Sequence, residues 1–168
     1  KYNFQYAYFK ADQPGKFLTK LSFWVTPYDG KITSKGFIHI HQQGLPFSIW
    51  TRINDIDLAQ LRQDMPWEKH EISGRLSSDI NLEGHFEKLQ ETKGDGSITI
   101  QDGSLWQFQL LKGIWGSLLL TPEFENIRFT DAQCSFKIQN QRITTNNLVL
   151  SSKPVDLLGG GWISFDRK

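Results

Sequence analysis

The sequence has one cysteine, few alanines, almost no excess of charge and no long hydrophobic run. Because Cys134 stands alone, an internal disulfide and a cysteine-rich zinc site are both excluded. Lysine and arginine number 19 against 18 acidic residues, a formal charge of +1, so no charge excess would attract nucleic acid. The longest apolar run, residues 114–120, contains glycine and serine and is far below the ~20 residues that span a bilayer. We therefore expect no nucleic-acid partner, signal peptide or transmembrane segment.

What the sequence has in quantity is aromatic side chains, with 12 Phe, 6 Trp and 4 Tyr, together with 14 glycines. This composition favours strands over helices. The clearest alternation runs from Ser73 to Glu87, where even positions are mostly apolar or glycine and odd positions mostly polar. We predict that the even positions from Leu76 to Phe86 face inward, on one long strand or on two strands joined near Gly84. Similar alternation recurs at residues 2–8, 21–25, 47–53 and 134–138.

Turn signals separate these runs and predict an antiparallel meander. They are Pro27 to Gly30, Gln43-Gly44, Gly94 to Gly96 and Asp102-Gly103. A weak internal repeat, in which glycine precedes isoleucine by two residues, begins at Gly36, Gly96 and Gly161. No linker or charge block divides the chain. We predict a single β-rich domain over residues 1–168.

Two segments have helical spacing instead. In the first, at about residues 57–65, Asp57 is a candidate N-cap with Gln60 three residues later, and Pro66 ends the run. The second, at about residues 105–120, has an apolar stripe made of Leu111, Ile114, Trp115, Leu118 and Leu119, and Pro122 stops it. The predicted fold class is therefore mainly β (β-rich α+β), a long, curved, mostly antiparallel sheet forming an open groove or half-barrel, with two short helices.

Residues that suggest catalysis or metal binding each have a simpler structural explanation. His39 and His41 would share one face of a strand, a spacing found in some metal sites, but this face is the solvated one. Cys134 alternates with apolar residues, as a buried structural thiol does. Nucleophile elbows and phosphate loops are absent from the sequence. We expect no enzyme activity, no catalytic residue, no metal and no cofactor.

From about residue 53 to residue 166, the order of motifs resembles the C-terminal region of the AsmA family, large proteins of the Gram-negative cell envelope that are anchored in the inner membrane. The resemblance covers about two thirds of the chain. Its motifs are Asn54 to Leu58, Ser73 to Leu76, Gly94 to Leu105, the leucine-rich helix, Phe129 with the strand Phe136 to Ile138, Thr144 to Ser152, and Gly159 to Ile163.

The resemblance implies a β-groove with an apolar interior that binds phospholipid acyl chains, in lipid transport or in outer-membrane assembly and homeostasis. The groove residues would be Leu76, Ile80, Leu82, Phe86, Ile98, Ile100, Phe136 and Ile138, with the Leu111 to Leu119 helix as its cap. It also implies a periplasmic location, an inner-membrane anchor outside this segment, and contacts with other envelope proteins. A long sheet that is apolar on one face must cover it, and an acyl chain is one such cover.

Two other interpretations stay open at this point. The same apolar residues would fill an ordinary α+β core if the leucine-rich helix packs on the sheet. Alternatively, the chain is an interaction module that binds a protein or a glycan through aromatic surface residues such as Trp24, Trp50 and Trp67.

Overall fold

A computed structural model describes residues 4–15, 18–64, 72–104, 129–153 and 156–165. The described chain is mostly β, with nine strands and two short helices. The strands are β1 (Phe4–Gly15), β2 (Leu18–Pro27), β3 (Lys31–Ile38), β4 (Pro46–Asp57), β5 (Ser73–His85), β6 (Lys93–Ser104), β7 (Asp131–Gln139), β8 (Arg142–Ser151) and β9 (Asp156–Ser164). The helices are α1 (Leu58–Gln63) and a 3₁₀ segment (Phe86–Glu91). This confirms the mainly β fold class.

All nine strands form one sheet in the order of the sequence, and each pairs antiparallel with the next. Within the described residues, β1 and β9 are the two edges, so the sheet is open. The sheet is uncurled, so the predicted curvature into a groove or half-barrel is wrong for the described strands. The register shifts at bulges or irregularities in five of the eight strand pairs, namely β1–β2, β4–β5, β5–β6, β7–β8 and β8–β9. The shifts nearest the centre of the sheet fall between Ile53 and Ile56 and between Ser73 and Arg75, and the one in β8 falls between Thr145 and Leu148. Outside these bulges the alternation of faces continues unbroken from strand to strand.

The connections between strands are mostly tight. Tyr28 and Asp29 both have positive φ, and the Gly30 amide donates to the Pro27 carbonyl, which closes the β2–β3 turn as the sequence predicted. The β7–β8 turn uses Asn140 and Gln141, also at positive φ, and no turn was predicted there. The predicted turn at Gly94 to Gly96 is wrong, because these residues lie inside β6, where two glycines make room for larger side chains of the neighbouring strands.

The first predicted helix is confirmed and slightly shorter than expected. The Asp57 carboxylate accepts hydrogen bonds from the amides of Ala59 and Gln60 at 2.8 and 3.1 Å, the geometry of an N-cap. The Gln60 side chain donates to the Asp29 carboxylate, and the Asp57 amide donates to the Tyr28 carbonyl. The helix is therefore tied to the β2–β3 turn instead of closing a full capping box.

The second predicted helix, residues 105–120 with its stripe of Leu111, Ile114, Trp115, Leu118 and Leu119, lies outside the described residues, as does Pro66. The second helix that the structure does describe is the 3₁₀ segment after β5. The long alternating run is one strand of 13 residues up to His85. The three glycine-isoleucine repeats fall on β3, β6 and β9, every third strand of the sheet.

Candidate functional site: one apolar face of the sheet

The strand registers place most of the apolar residues of β2 to β9 on a single face, which we call the apolar face. In β5, Leu76, Ile80 and Leu82 share it. The residues that pair with these three in β4 and β6 lie on the same face, and the apolar face continues from there toward both edges of the sheet. Its members include Leu21, Phe23, Val25, Ile32, Ile38, Phe47, Ile49, Ile53, Ile56, Ile98, Ile100, Ala132, Phe136, Ile138, Ile143, Leu148, Leu150, Leu157 and Ile163.

Seven of the eight predicted groove residues lie on the apolar face of three adjacent strands. They are Leu76, Ile80 and Leu82 in β5, Ile98 and Ile100 in β6, and Phe136 and Ile138 in β7. The eighth, Phe86, was predicted to continue the β5 strand pattern, which is wrong, because the strand ends at His85 and Phe86 begins the 3₁₀ segment. Its exposed ring packs against Phe47 of β4, with the centroids 4.7 Å apart. It therefore contacts the apolar face from its border.

One cross-strand row on this face contains no polar side chain over eight strands. The row reads Leu21, Gly36, Ile49, Leu82, Gly94, Ile138, Ile143 and Ile163, one residue from each strand of β2 to β9. Since neighbouring strands lie about 4.8 Å apart, the row is about 34 Å long. A phospholipid acyl chain spans half of the ~30 Å hydrocarbon core of a bilayer, about 15 Å. The row is thus long enough for an extended acyl chain.

One end of the apolar face is packed. Ile56 at the end of β4 and Leu58 in α1 are buried there, and Leu150 of β8 is buried against Phe129. The exposed fractions of Leu150 and Ile56 are only 2% and 3%. The pairing of β4 to β8 links these residues in one row through Leu76, Ile100 and Ala132. We call the set Ile56, Leu58, Phe129 and Leu150 the packed end.

The middle of the apolar face is less covered, although Phe136 of β7 is buried there. Ile80, Leu82 and Ile98, which we call the open middle, are half-buried. Two glycines beside them, Gly94 and Gly96, leave space that a Cβ would fill. A Cβ on Gly94 would come within 2.8 Å of the Leu82 side chain, and one on Gly96 within 2.6 Å of the Phe136 ring. The Leu82 side chain of β5 and the Phe136 ring of β7 therefore lie over the backbone of β6.

The few polar groups on this face are turned toward the sheet. The Ser34 hydroxyl is 3.0 Å from the Thr51 hydroxyl, and the Ser78 hydroxyl donates to the Ser97 carbonyl at 2.7 Å. Both serines are buried, and their hydrogen bonds satisfy them without disturbing the apolar surface. Burial raises the pKa of the Cys134 thiol, and hydrogen bonds with Thr145 and the Ile98 backbone offset this only in part. Cys134 is thus kept as a neutral, weakly nucleophilic thiol, in agreement with its predicted structural role.

The opposite face of the sheet is polar and solvated. Arg52 Nε lies 2.7 Å from Asp79 Oδ1, and the Asn81 amide donates to the Asp95 carboxylate at 3.2 Å. Three tryptophans on this face each have a cation over the ring, Lys31 on Trp24, Arg52 on Trp50 and Arg142 on Trp162, at 4.5 to 5.5 Å from the centroid. A shallow depression with a volume of about 480 Å³ is lined by residues that include Asp79, Asn81, Asp95, Ser97, Lys137 and Asn146.

The histidine pair does not lie on a strand, contrary to the sequence interpretation. β3 ends at Ile38, so His39 and His41 belong to the seven-residue connection to β4, where the His39 amide donates to the Pro46 carbonyl. In the part of the chain that the structure describes, no three His, Cys, Asp or Glu side chains form a group that could hold a metal ion. Nor is any helix among the described residues long and apolar enough to cross a bilayer.

Sequence reasoning missed a large part of the apolar face. The sequence shows the alternation of Phe47 to Ile53 and of Leu21 to Val25. It does not show that β4 pairs with β5, or that β2 joins the same face through β3. In β8, the odd-numbered Ile143 and the even-numbered Leu148 both lie on the apolar face. The bulge after Thr145 adds one residue and so changes which positions face that side. No sequence signal marks that bulge except the pair Asn146-Asn147.

No family model matches the chain, and neither a curated protein nor a solved structure matches it. These comparisons therefore assign no family to the chain.

Proposed function

We propose that this chain is a non-enzymatic lipid-binding domain that holds phospholipid acyl chains on the apolar face of its sheet. The observation that carries the proposal is the continuous apolar row over eight strands, half-buried at Ile49 and Leu82. Exposed apolar patches beyond a few hundred Å² are unusual on soluble monomers and mark binding surfaces. An acyl chain matches this surface in length and in the lack of polar groups.

The energetics favour this class of ligand. Transfer of ~14 methylenes from water to an apolar surface contributes on the order of 11 kcal/mol gross, at ~0.8 kcal/mol each, before the entropy of ordering the chain is subtracted. No specific polar contact is needed for affinity. The Leu82 and Phe136 side chains lie over the β6 backbone at Gly94 and Gly96 and offer apolar contacts to a linear hydrocarbon.

The wider role is part of the same proposal. In an AsmA-like protein, this segment would supply part of the floor of a β-groove in the periplasm, and an anchor elsewhere in the protein would hold it to the inner membrane. Its partners would then be phospholipid acyl chains and other envelope proteins, and its function would be lipid transport or outer-membrane assembly and homeostasis.

The direct test is lipid extraction and native mass spectrometry of the purified chain, followed by titration with a fluorescent phospholipid. We expect phospholipid to co-purify and Leu82→Trp or Ile98→Trp to reduce binding with little change in the free energy of unfolding, because the new ring occupies space of the ligand. In a closed core the same substitutions would cost about 1 to 3 kcal/mol by overpacking.

The matched control is Asn81→Trp, which adds the same ring to β5 on the polar face, where Asn81 is exposed. It should leave lipid binding unchanged. If the unmodified chain binds no phospholipid and both apolar-face variants are strongly destabilised, the face is an ordinary core and the proposal is wrong.

A second candidate function is binding of a glycan or protein through the polar face. Trp50 favours it, because it pairs directly with Asn81 at the border of the 480 Å³ depression. Against it, Arg52 already covers one side of the Trp50 ring. Trp50→Ala separates the two functions, since it should abolish glycan binding and leave phospholipid binding intact.

A further inference from the structure

Among the described strands, β9 lies at one edge of the sheet. Among the described residues, the one strand that pairs with β9 is β8. Three side chains of β9 point into solvent, with exposed fractions of 75% for Leu158, 59% for Trp162 and 40% for Ile163. Large apolar side chains are therefore concentrated at an edge that can accept another strand.

Edge strands usually carry features that prevent such pairing, above all lysine, other charges and proline. β9 has none of these after its first residue, Asp156, and it is the one strand of the nine without a lysine or arginine. The interior strands, which need no such protection, each have at least one. This distribution is the reverse of what a permanently exposed edge requires.

The order of residues in β9 is also symmetric about Gly160. Gly159 and Gly161 flank it, then Leu158 and Trp162, then Leu157 and Ile163. In an antiparallel pair of two β9 strands with a two-fold axis at Gly160, each apolar residue would face an apolar residue of the other copy and each glycine a glycine. A shift of the register by two residues in either direction would place Leu158 or Trp162 opposite a glycine.

We propose that β9 pairs antiparallel with β9 of a second copy of this chain, about a two-fold axis at Gly160, to form a sheet that continues through the dimer. The two-fold axis is perpendicular to the sheet, so both apolar faces lie on the same side. Leu157 of one copy then lies opposite Ile163 of the other, so that the apolar rows of the two copies are continuous across the interface. Leu158 packs on Trp162 of the second copy, on the polar face.

Sedimentation velocity of the chain over a range of concentrations tests this interface. We expect a monomer–dimer equilibrium that Leu158→Lys and Trp162→Glu each weaken about tenfold, because every substitution acts twice in a two-fold dimer. The lysine is unfavourable opposite Trp162 of the second copy, since Arg142 already occupies that ring. Leu89→Lys, at another exposed leucine, in the 3₁₀ segment, is the control and should leave the equilibrium unchanged.

The double variant Leu158→Lys with Trp162→Glu tests the register. Positions 158 and 162 are too far apart along one strand to contact each other, at ~3.3 Å per residue, but they face each other across the proposed axis. Their opposite charges should therefore restore the dimer. Circular dichroism verifies that each variant is folded. A chain that stays monomeric at every concentration, single variants that dimerise as the unmodified chain does, or a double variant no better than the single ones would each overturn the proposal.

Discussion

The packed end and the open middle of the apolar face are built from the same residue types but differ in what covers them. At the packed end, Phe129 and Leu150 form a small core, and Ile56 is buried at the other side of the same row, two residues before α1 begins. In the open middle, Ile80, Leu82 and Ile98 are half-buried. Apolar alternation alone therefore specifies a face, while the elements at its end decide whether the face becomes a core.

The strongest test of this difference compares the same substitution in both places. Leu150→Ala should cost about 2 to 5 kcal/mol of unfolding free energy, because it removes a buried side chain and leaves a cavity. Leu82→Ala should cost about 1 kcal/mol, since part of that side chain is already in water. Urea titrations monitored by tryptophan fluorescence provide both values. Equal costs would contradict the distinction between the two regions.

A smaller effect is expected from the cap that holds α1 over the packed end. Asp57→Ala removes the acceptor for the amides of Ala59 and Gln60 and should cost about 1 kcal/mol. Asp57→Asn keeps an acceptor and is the control, with most of the stability retained. An Asp57→Ala variant as stable as the unmodified chain would show that packing alone positions the helix.

The sequence predicted the mainly β fold, the antiparallel order and α1 because each depends on local signals, namely alternation, turn residues and an N-cap. It also placed seven of the eight candidate groove residues on one face, since alternation within β5, β6 and β7 fixes their phase. Prediction from the sequence failed where the face that a residue occupies depends on strand pairing or on the point at which a strand ends. Phe86 follows the even series by number, but the chain leaves the sheet after His85. The prediction that His39 and His41 lie on a strand was wrong for a similar reason, because β3 ends at Ile38.

The open middle can also be examined through Cys134, which lies beside Ile98 on the apolar face. Burial raises the pKa of this thiol, so its alkylation by iodoacetamide at mildly alkaline pH should be slower in the folded chain than in urea. The folded state binds the Cys134 thiol proton more tightly than the unfolded state does. The stability that this thiol contributes is therefore full below its ordinary pKa and is lost as the pH rises through the raised pKa of the folded state. Bound phospholipid should slow alkylation further, whereas alkylation as fast as in urea would show that the site is not buried.

The smallest effect is expected behind the open middle, on the polar face, from the ion pair of Arg52 and Asp79. The two charged groups are 2.7 Å apart but each is nearly half exposed, so a double-mutant cycle with Arg52→Ala and Asp79→Ala should give a coupling below about 1 kcal/mol. Salt should reduce the coupling, because solvent ions screen exposed charges. Thr33→Ala, at the residue that faces Arg52 from β3, serves as the reference for a neutral neighbour. A coupling of several kcal/mol that persists at high salt would mean that the polar face is covered by something that excludes water, and the contrast between a solvated and an apolar face would then have to be abandoned.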